Sequence, residues 1–145
     1  MRILALDVGA QRIGVAISDP TGSMAQPLMV LDRSRDGSEI ERIVKLAEEY
    51  DVAEVVVGLP LSLTGEAGPQ VQEVLEYIDE LKGRLKVTVK TWDERLTTSF
   101  AERALIESDM KRKRRKQIVD KVAAALILQG YLDSKGQEEQ KAESR

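Results

Sequence analysis

The 145-residue chain contains no cysteine and no histidine, and only 3% of its residues are aromatic. The first two absences exclude disulfide bonds, thiol nucleophiles, imidazole bases and zinc sites built from Cys and His. The scarcity of aromatic rings argues against the stacking platforms on which many proteins bind single-stranded nucleic acid. Any catalytic chemistry must therefore use carboxylates, amines, hydroxyls or a bound metal ion.

Long apolar runs are missing as well. The first apolar run covers only Ile3 to Leu6 before Asp7 interrupts it, and it is shorter than the roughly 7–15 residues of a signal-peptide core. The run from Val122 to Leu128 is far below the ~20 residues that cross a membrane. The sequence therefore predicts a cytoplasmic protein with no membrane partner. The length fits a single domain, which we place over 1–133, followed by a polar, flexible tail over 134–145.

Short β-rich runs alternate with longer helical ones. Strands are predicted over 3–6, 13–17, 27–31, 54–58 and 85–92, and helices over 38–50, 69–81, 97–108 and 116–133. Ser38 and Glu41 form a capping box at the start of the first helix. The second helix is predicted to face the core with Val71, Val74, Leu75, Ile78 and Leu81. A short antiparallel hairpin followed by strand–helix units predicts an α/β fold, a mixed sheet flanked by helices.

Acidic residues follow two of the predicted parallel strands. Asp7 ends the first strand, and Asp93 and Glu94 end the last. Ligands of open α/β sheets bind beyond the carboxyl ends of such strands, so these acids are candidates for one site. Structural interpretations compete with this one, because Asp7 can close the hairpin in an Asx-turn. Asp93 or Glu94 can likewise stabilise the N-terminus of the following helix, where the helix dipole favours a negative charge.

A further acid, Asp120, shares a predicted helix face with Ala123, Ala124 and Ile127. Small residues allow this face to approach the sheet closely, and a carboxylate desolvated there is costly unless it binds a cation. A solvated helical aspartate is the competing interpretation. Three carboxylates without His or Cys favour Mg²⁺ or Mn²⁺. Two such ions, about 3.5–4 Å apart, can activate a water and stabilise the leaving oxygen in phosphodiester hydrolysis.

Groups suited to phosphate accompany the acids. Gly9 and Gly14 flank Arg12, whose guanidinium can bind phosphate with two hydrogen bonds, and Arg95 follows Glu94 directly. Residues 95–121 carry nine basic and four acidic side chains, whereas the remainder carries 13 basic and 21 acidic ones. Such a basic block is either a solvated linker or a nucleic-acid contact, and its place beside the acids favours the contact. Its unbroken core consists of Lys111, Arg112, Lys113, Arg114, Arg115 and Lys116.

Four ordered blocks of this sequence resemble the YqgF family, also called RuvX. They are residues 7–16 (DVGAQRIGVA), 58–61 (GLPL) with Gly65, 93–98 (DERLTT) and 116–124 (KQIVDKVAA). The resemblance runs from about Arg2 to Leu132, and it departs from the family at Gln11, where lysine is frequent. It implies a ribonuclease-H-like fold with a five-stranded mixed sheet. It also implies nuclease sites at Asp7, Glu94 and Asp120 that bind Mg²⁺ or Mn²⁺, with Glu94 rather than Asp93 as the second acid.

The sequence and the resemblance together predict a metal-dependent endonuclease, a hydrolase acting on ester bonds in structured nucleic acid. Processing of the 5′ end of pre-16S rRNA in ribosome biogenesis is the first hypothesis, and resolution of four-way DNA junctions is the second. A resolvase cutting two strands symmetrically needs a dimer, and nothing in the sequence indicates one; we expect a monomer or weak homodimer. Two further classes of function compete with these, a non-catalytic nucleic-acid-binding factor and an ATP-binding module, since Asp-x-Gly hairpins also open actin-like folds.

Overall fold

A hairpin of two strands, β1 (Arg2–Val8) and β2 (Arg12–Ser18), forms the middle of the sheet. A computed structural model describes residues 1–60, 68–94 and 122–136 of the chain. In these residues β3 (Ala25–Asp32) pairs antiparallel with β2, while β4 (Val52–Leu59) and β5 (Thr88–Asp93) extend the sheet in parallel beyond β1. The resulting strand order is β3-β2-β1-β4-β5. The predicted mixed five-stranded sheet is therefore confirmed.

Helices cover both faces of this sheet. Helix α1 (Ser38–Glu49) and helix α2 (Pro69–Arg84) pack on one face, and the helical residues 122–136, which we name α3, pack on the other. The predicted helix over 97–108, the basic segment and the first residues of the last predicted helix lie outside the described residues.

The apolar core beneath α1 and α2 is built from large aliphatic side chains. Strand alternation directs every second residue of the central strands to this face. Its most deeply buried members are Leu4, Leu6, Ile13, Val15, Ile43, Leu46, Val55, Val57 and Leu81. We call the whole buried cluster on this face, which also includes Val89 of β5, the α1/α2-face core.

The opposite core, which we call the α3-face core, combines large residues with three buried alanines. It consists of Ile3, Ala5, Ala16, Val56, Ala124, Ile127, Leu128, Tyr131 and Leu132. The buried alanines allow α3 to approach the sheet closely, as its sequence predicted. The helix runs three residues past 133, where we placed the end of the domain, and Lys135 donates a hydrogen bond to Glu54. Residues 137–145 lie outside the described part, so a flexible tail there stays a prediction.

The predicted capping box of α1 is wrong. Gly37 is the N-cap, in the left-handed conformation with φ of 71°, which glycine adopts without steric cost. Ser38 is the first helical residue, and its backbone N–H donates to the Ser34 hydroxyl and to the Asp36 carboxylate, each at 3.1 Å. The cap is therefore supplied by the preceding turn, which the spacing of Ser38 and Glu41 could not reveal.

Two details of the region from α2 to β5 also differ from the prediction. Leu75 is 36% exposed and Tyr77 is buried in its place, because the phenol donates a hydrogen bond to Glu39 on α1. The strand predicted from residue 85 begins at Thr88 instead. Leu85 still belongs to the end of α2, since its N–H donates to the carbonyl of Leu81 at 2.8 Å.

Candidate active site at the carboxyl edge of the sheet

Asp7 lies near the carboxyl end of β1, on the face that α3 covers. Ile3 and Ala5 belong to the α3-face core, and strand alternation puts Asp7 on the same face. Its register partner in β2 is Gly14. Because Gly14 has no side chain, β2 places no bulk beside the Asp7 carboxylate on this face of the sheet. Asp7 is half-buried.

Glu94 reaches the same face from β5. Gly58 of β4 is the register partner of Trp92, and a Cβ atom built on Gly58 would lie 3.0 Å from Glu94 Cγ and 3.1 Å from Glu94 Oε1. The Glu94 carboxylate therefore lies over Gly58, next to the strand that carries Asp7. Gly58 makes this arrangement possible because any side chain there would occupy the space of Glu94.

Asp93 belongs to the other face of the sheet. Val89 of β5 is part of the α1/α2-face core, so alternation along the strand directs Asp93 to that face and Glu94 to the face of Asp7. The choice between these neighbours was open from the pattern of acids alone. The geometry now favours Glu94 independently of the family resemblance.

A tight turn joins Asp7 to Arg12. The N–H of Gly9 donates to the carbonyl of Arg12 at 2.8 Å, and a Cβ on Gly9 would lie 2.8 Å from that same oxygen. Arg12 shares its face with Gly14, two residues further along β2, and therefore with Asp7. The turn thus brings one guanidinium to the edge where the two carboxylates lie.

Helix α3 reaches the site through Ile127. Its Cδ1 atom would lie 2.6 Å from a Cβ on Gly58, so the helix packs directly on the glycine that Glu94 also covers. Trp92 and Tyr131 stack edge to face, with ring centroids 5.8 Å apart. These contacts fix the position of α3 against β4 and β5.

A buried charge holds α3 at the far end of β4. Glu54 is 6% exposed and accepts hydrogen bonds at Oε1 from Tyr131 (2.6 Å) and Lys135 (2.8 Å), while Lys90 lies 3.4 Å from Oε2. Burial disfavours the charged form of Glu54, but the bonds from Lys135 and Tyr131 and the two lysine charges outweigh it and lower the pKa of this carboxyl. Glu54 is therefore ionised at neutral pH and ties α3 to the sheet.

Several predicted site residues lie outside the described residues. They are Asp120, Arg95 and the basic run Lys111, Arg112, Lys113, Arg114, Arg115 and Lys116. Among residues 1–60, 68–94 and 122–136, no group of three or more His, Cys, Asp or Glu side chains is arranged to hold a metal ion. The described residues thus bring together Asp7, Glu94 and Arg12.

Sequence reasoning missed two contributions to the site. Gly58 appeared only as the last residue of a predicted strand and the first of a family block, whereas it makes room for Glu94 and Ile127. Arg33, which follows β3, donates from Nη1 to the carbonyl of Gly9 at 3.0 Å. No signal in the sequence distinguishes Arg33 from the chain's other arginines.

Within the described helices, none is long and apolar enough to cross a membrane.

Residues 1–134 match the sequence model of the family described as RuvX, Holliday junction resolvase. A relative from Clostridium botulinum (strain Hall), named "Putative pre-16S rRNA nuclease", is 51% identical over 134 residues, which are 92% of this chain and 98% of the relative. A relative of the same name from Desulforudis audaxviator is 47% identical over 135 residues, which are 93% of this chain and 96% of the relative.

Among solved structures, RuvC of Thermus thermophilus matches with a TM-score of 0.58 at 16% identity, over 92% of this chain and 96% of that protein. At this identity the likeness concerns the fold alone. It confirms the ribonuclease-H-like fold that the family resemblance implied.

Proposed function

Because the chain belongs to the RuvX family, we propose that it is a divalent-metal-dependent endonuclease that hydrolyses phosphodiester bonds in the precursor of 16S rRNA. The observation that carries the proposal is the convergence of Asp7 and Glu94 on one face of the sheet, with Gly58 between them. The 51% identical relative named for pre-16S rRNA supports the choice of substrate.

The donor set fits a hard cation. Asp7 and Glu94 offer only carboxylate oxygens, the ligands that Mg²⁺ and Mn²⁺ prefer. We assign Asp120 as the third ligand, although it lies outside the described residues. Its support is sequence spacing, since Asp120 precedes Ile127 by seven residues, about two helical turns, and Ile127 packs on Gly58.

When bound, a divalent ion supplies neutralisation of phosphate charge and a lowered pKa for the attacking water. The chain's own residues would hold this ion and orient the substrate. Asp7 and Glu94 would hold the ion through their carboxylate oxygens, and Arg12 would pair its guanidinium with a substrate phosphate. We assign the same phosphate-binding role to Arg95 and to the run from Lys111 to Lys116, on the strength of their charge.

A second candidate function is the resolution of four-way DNA junctions. The family description favours it, because it names a Holliday junction resolvase. Backbone contacts alone bind RNA and DNA alike. In either case we propose a cytoplasmic protein that binds structured nucleic acid, as a monomer or weak homodimer, without a membrane partner.

The test is a cleavage assay with a 5′-extended 16S rRNA fragment and a four-way DNA junction, with Mg²⁺, Mn²⁺ or chelator. We expect cleavage of the RNA alone, with most of that activity lost in Glu94→Gln, because a neutral amide replaces a carboxylate that Mg²⁺ and Mn²⁺ prefer. Asp93→Asn is the matched control, because it removes a neighbouring charge from the other face, and it should retain activity. Cutting of the junction alone reverses the substrate assignment. Binding of both without cleavage in any metal favours the non-catalytic factor.

Thermal melting tests the metal site without any substrate. Carboxylates at one site repel each other when no cation is bound, so Asp7→Asn should raise the Tm of the metal-free protein. The same variant should lose most of the Tm increase that Mg²⁺ gives the wild-type protein. Asp79→Asn, an exposed change on α2, should keep the full increase. An undiminished Mg²⁺ effect in Asp7→Asn contradicts the assignment of Asp7 as a ligand.

A further inference from the structure

The turn between β1 and β2 receives support from a segment distant in sequence. Its residues Gly9, Ala10 and Gln11 are exposed. Arg33 contributes two hydrogen bonds to it, from its side-chain Nη1 to the Gly9 carbonyl at 3.0 Å and from its backbone N–H to the Gln11 carbonyl at 2.9 Å. The backbone bond is available to any residue but proline, whereas the side-chain bond needs a long side chain that ends in a donor.

The Arg33 side chain is itself held in place. Its guanidinium carbon lies 4.7 Å from the ring centroid of Tyr77 on α2, a cation–π distance. The Tyr77 hydroxyl donates to Glu39 Oε1 on α1 at 3.0 Å, and Glu39 Oε2 accepts from the Ser34 hydroxyl at 2.8 Å. A continuous set of contacts thus runs from the two helices to the carbonyl of Gly9.

Burial and hydrogen bonds keep Tyr77 protonated and Glu39 ionised at neutral pH. Burial, together with the bond to the Glu39 carboxylate, raises the pKa of Tyr77 well above its ordinary value. Burial disfavours the charged form of Glu39, yet the bonds from its own backbone, Ser34 and Tyr77 outweigh it and lower the pKa of this carboxyl. At neutral pH the phenol is therefore a donor and the carboxylate an acceptor.

The supported turn is the one that sets the distance between Asp7 and Arg12. Asp7 lies two residues before Gly9, and the Arg12 carbonyl closes the turn on the Gly9 N–H. We propose that Arg33 is a positioning residue, whose guanidinium holds the Gly9 carbonyl and thereby fixes Asp7 and Arg12 relative to each other. This inference rests on the proposed nuclease function of the same edge.

The experiment compares Arg33→Met with Arg35→Met in the cleavage assay on the 5′-extended rRNA fragment. Both substitutions remove one positive charge from the same segment, and Arg35 is exposed. We expect Arg33→Met to lower kcat about 10- to 100-fold, as misplacement of reacting groups does, with the RNA Kd changed equally in both variants. Arg33→Lys should have a kcat at least threefold higher than that of Arg33→Met, since its ammonium can still donate to the Gly9 carbonyl.

Amide hydrogen exchange of the free, metal-free protein supplies a readout that needs no activity. The Gly9 amide should exchange at least tenfold faster in Arg33→Met than in Arg35→Met, because the turn loses its side-chain bond. Faster exchange in a protein that cleaves no substrate shows that the Arg33 side chain holds the turn, and it defeats only the nuclease proposal.

Three results overturn the inference. The first is equal exchange at Gly9 in the two variants. The second is an equal loss of kcat/KM in both variants that arises from KM alone, which indicates general electrostatic attraction. The third is faster exchange with unchanged kcat, which limits Arg33 to stabilising the turn.

Discussion

The two faces of the sheet are built for different tasks, although the same strands form both. The α1/α2-face core consists of large aliphatic residues such as Leu4, Leu6 and Ile43. The α3-face core uses small residues such as Ala5, Ala16 and Ala124. At its carboxyl edge the second face also carries Asp7 and the Glu94 carboxylate.

This difference teaches that stability and chemistry can be separated within one sheet. A face packed with large side chains buries more apolar surface and contributes more to the free energy of folding. Alanines on the other face allow α3 to lie close to the strands, so that side chains of helix and strands meet at one point. Substitutions on the two faces should therefore have different signatures.

The largest effect that separates the faces is expected from truncating one buried isoleucine on each. Ile43→Ala and Ile127→Ala should each lower the free energy of unfolding by about 2–5 kcal/mol, the cost of a cavity plus lost burial. Only Ile127→Ala should also lower kcat, because Ile127 packs on Gly58 beside Glu94. Urea unfolding and cleavage rates well below the Tm provide the two measurements. Equal kcat in the two variants contradicts the claim that the α3 face alone supports the candidate site.

A smaller effect is expected from filling the space above Gly58. Gly58→Ala places a methyl group against Ile127 and Glu94, which overpacks the site and should cost about 1–3 kcal/mol together with a clear loss of kcat. Gly83→Ala is the matched control, since a Cβ there meets nothing within 4 Å. It should leave kcat unchanged and stabilise α2 by about 0.5–1 kcal/mol.

A double variant sharpens this prediction. Val has no Cδ1 atom, so Ile127→Val removes the group nearest to the new methyl. In the Gly58→Ala background it should restore most of the unfolding free energy but not kcat, because Glu94 is still displaced. Full recovery of both the unfolding free energy and kcat indicates that the position of Glu94 does not depend on the absence of a side chain at Gly58.

The smallest effect concerns the ion pairs of the two faces. Glu54→Gln should lower the free energy of unfolding at pH 7 by about 1–2 kcal/mol, limited because the side chains of Lys90 and Lys135 are 48% and 32% exposed. The folded-state pKa of Glu54 is lowered, so its stabilisation is complete above the ordinary carboxyl pKa and is lost as the pH falls through the folded value. The difference between wild type and variant should therefore shrink in acid.

The control for Glu54→Gln lies on the other face. Glu41 forms an exposed ion pair with Arg84, and such pairs contribute about 0–1 kcal/mol. Glu41→Gln should therefore have little effect at any pH. Urea unfolding at several pH values gives both curves, and parallel curves for Glu54→Gln and wild type contradict the role of the Glu54 charge.

Much of the fold was predictable because it rests on local periodicity. The apolar alternation of β1 and β2, the short hairpin and the spacing of Ile40 and Ile43 are properties of adjacent residues. One error occurred where a partner distant in sequence decided, and the other where the local turn before a helix decided. Tyr77 replaces Leu75 in the core because Glu39 offers it an acceptor. Ser38 is not the cap of α1 because Gly37 already ends the preceding turn.

The candidate site divides in the same way. The sequence by itself excluded thiol and imidazole chemistry, through the absence of Cys and His, and it placed Asp7 and Glu94 at the ends of predicted strands. Only the tertiary structure decided that Asp93 belongs to the other face, that Gly58 makes room for Glu94, and that Arg33 reaches Gly9. The physical reason is that residue type and spacing are local properties, whereas sheet register and helix packing bring together groups far apart in the chain.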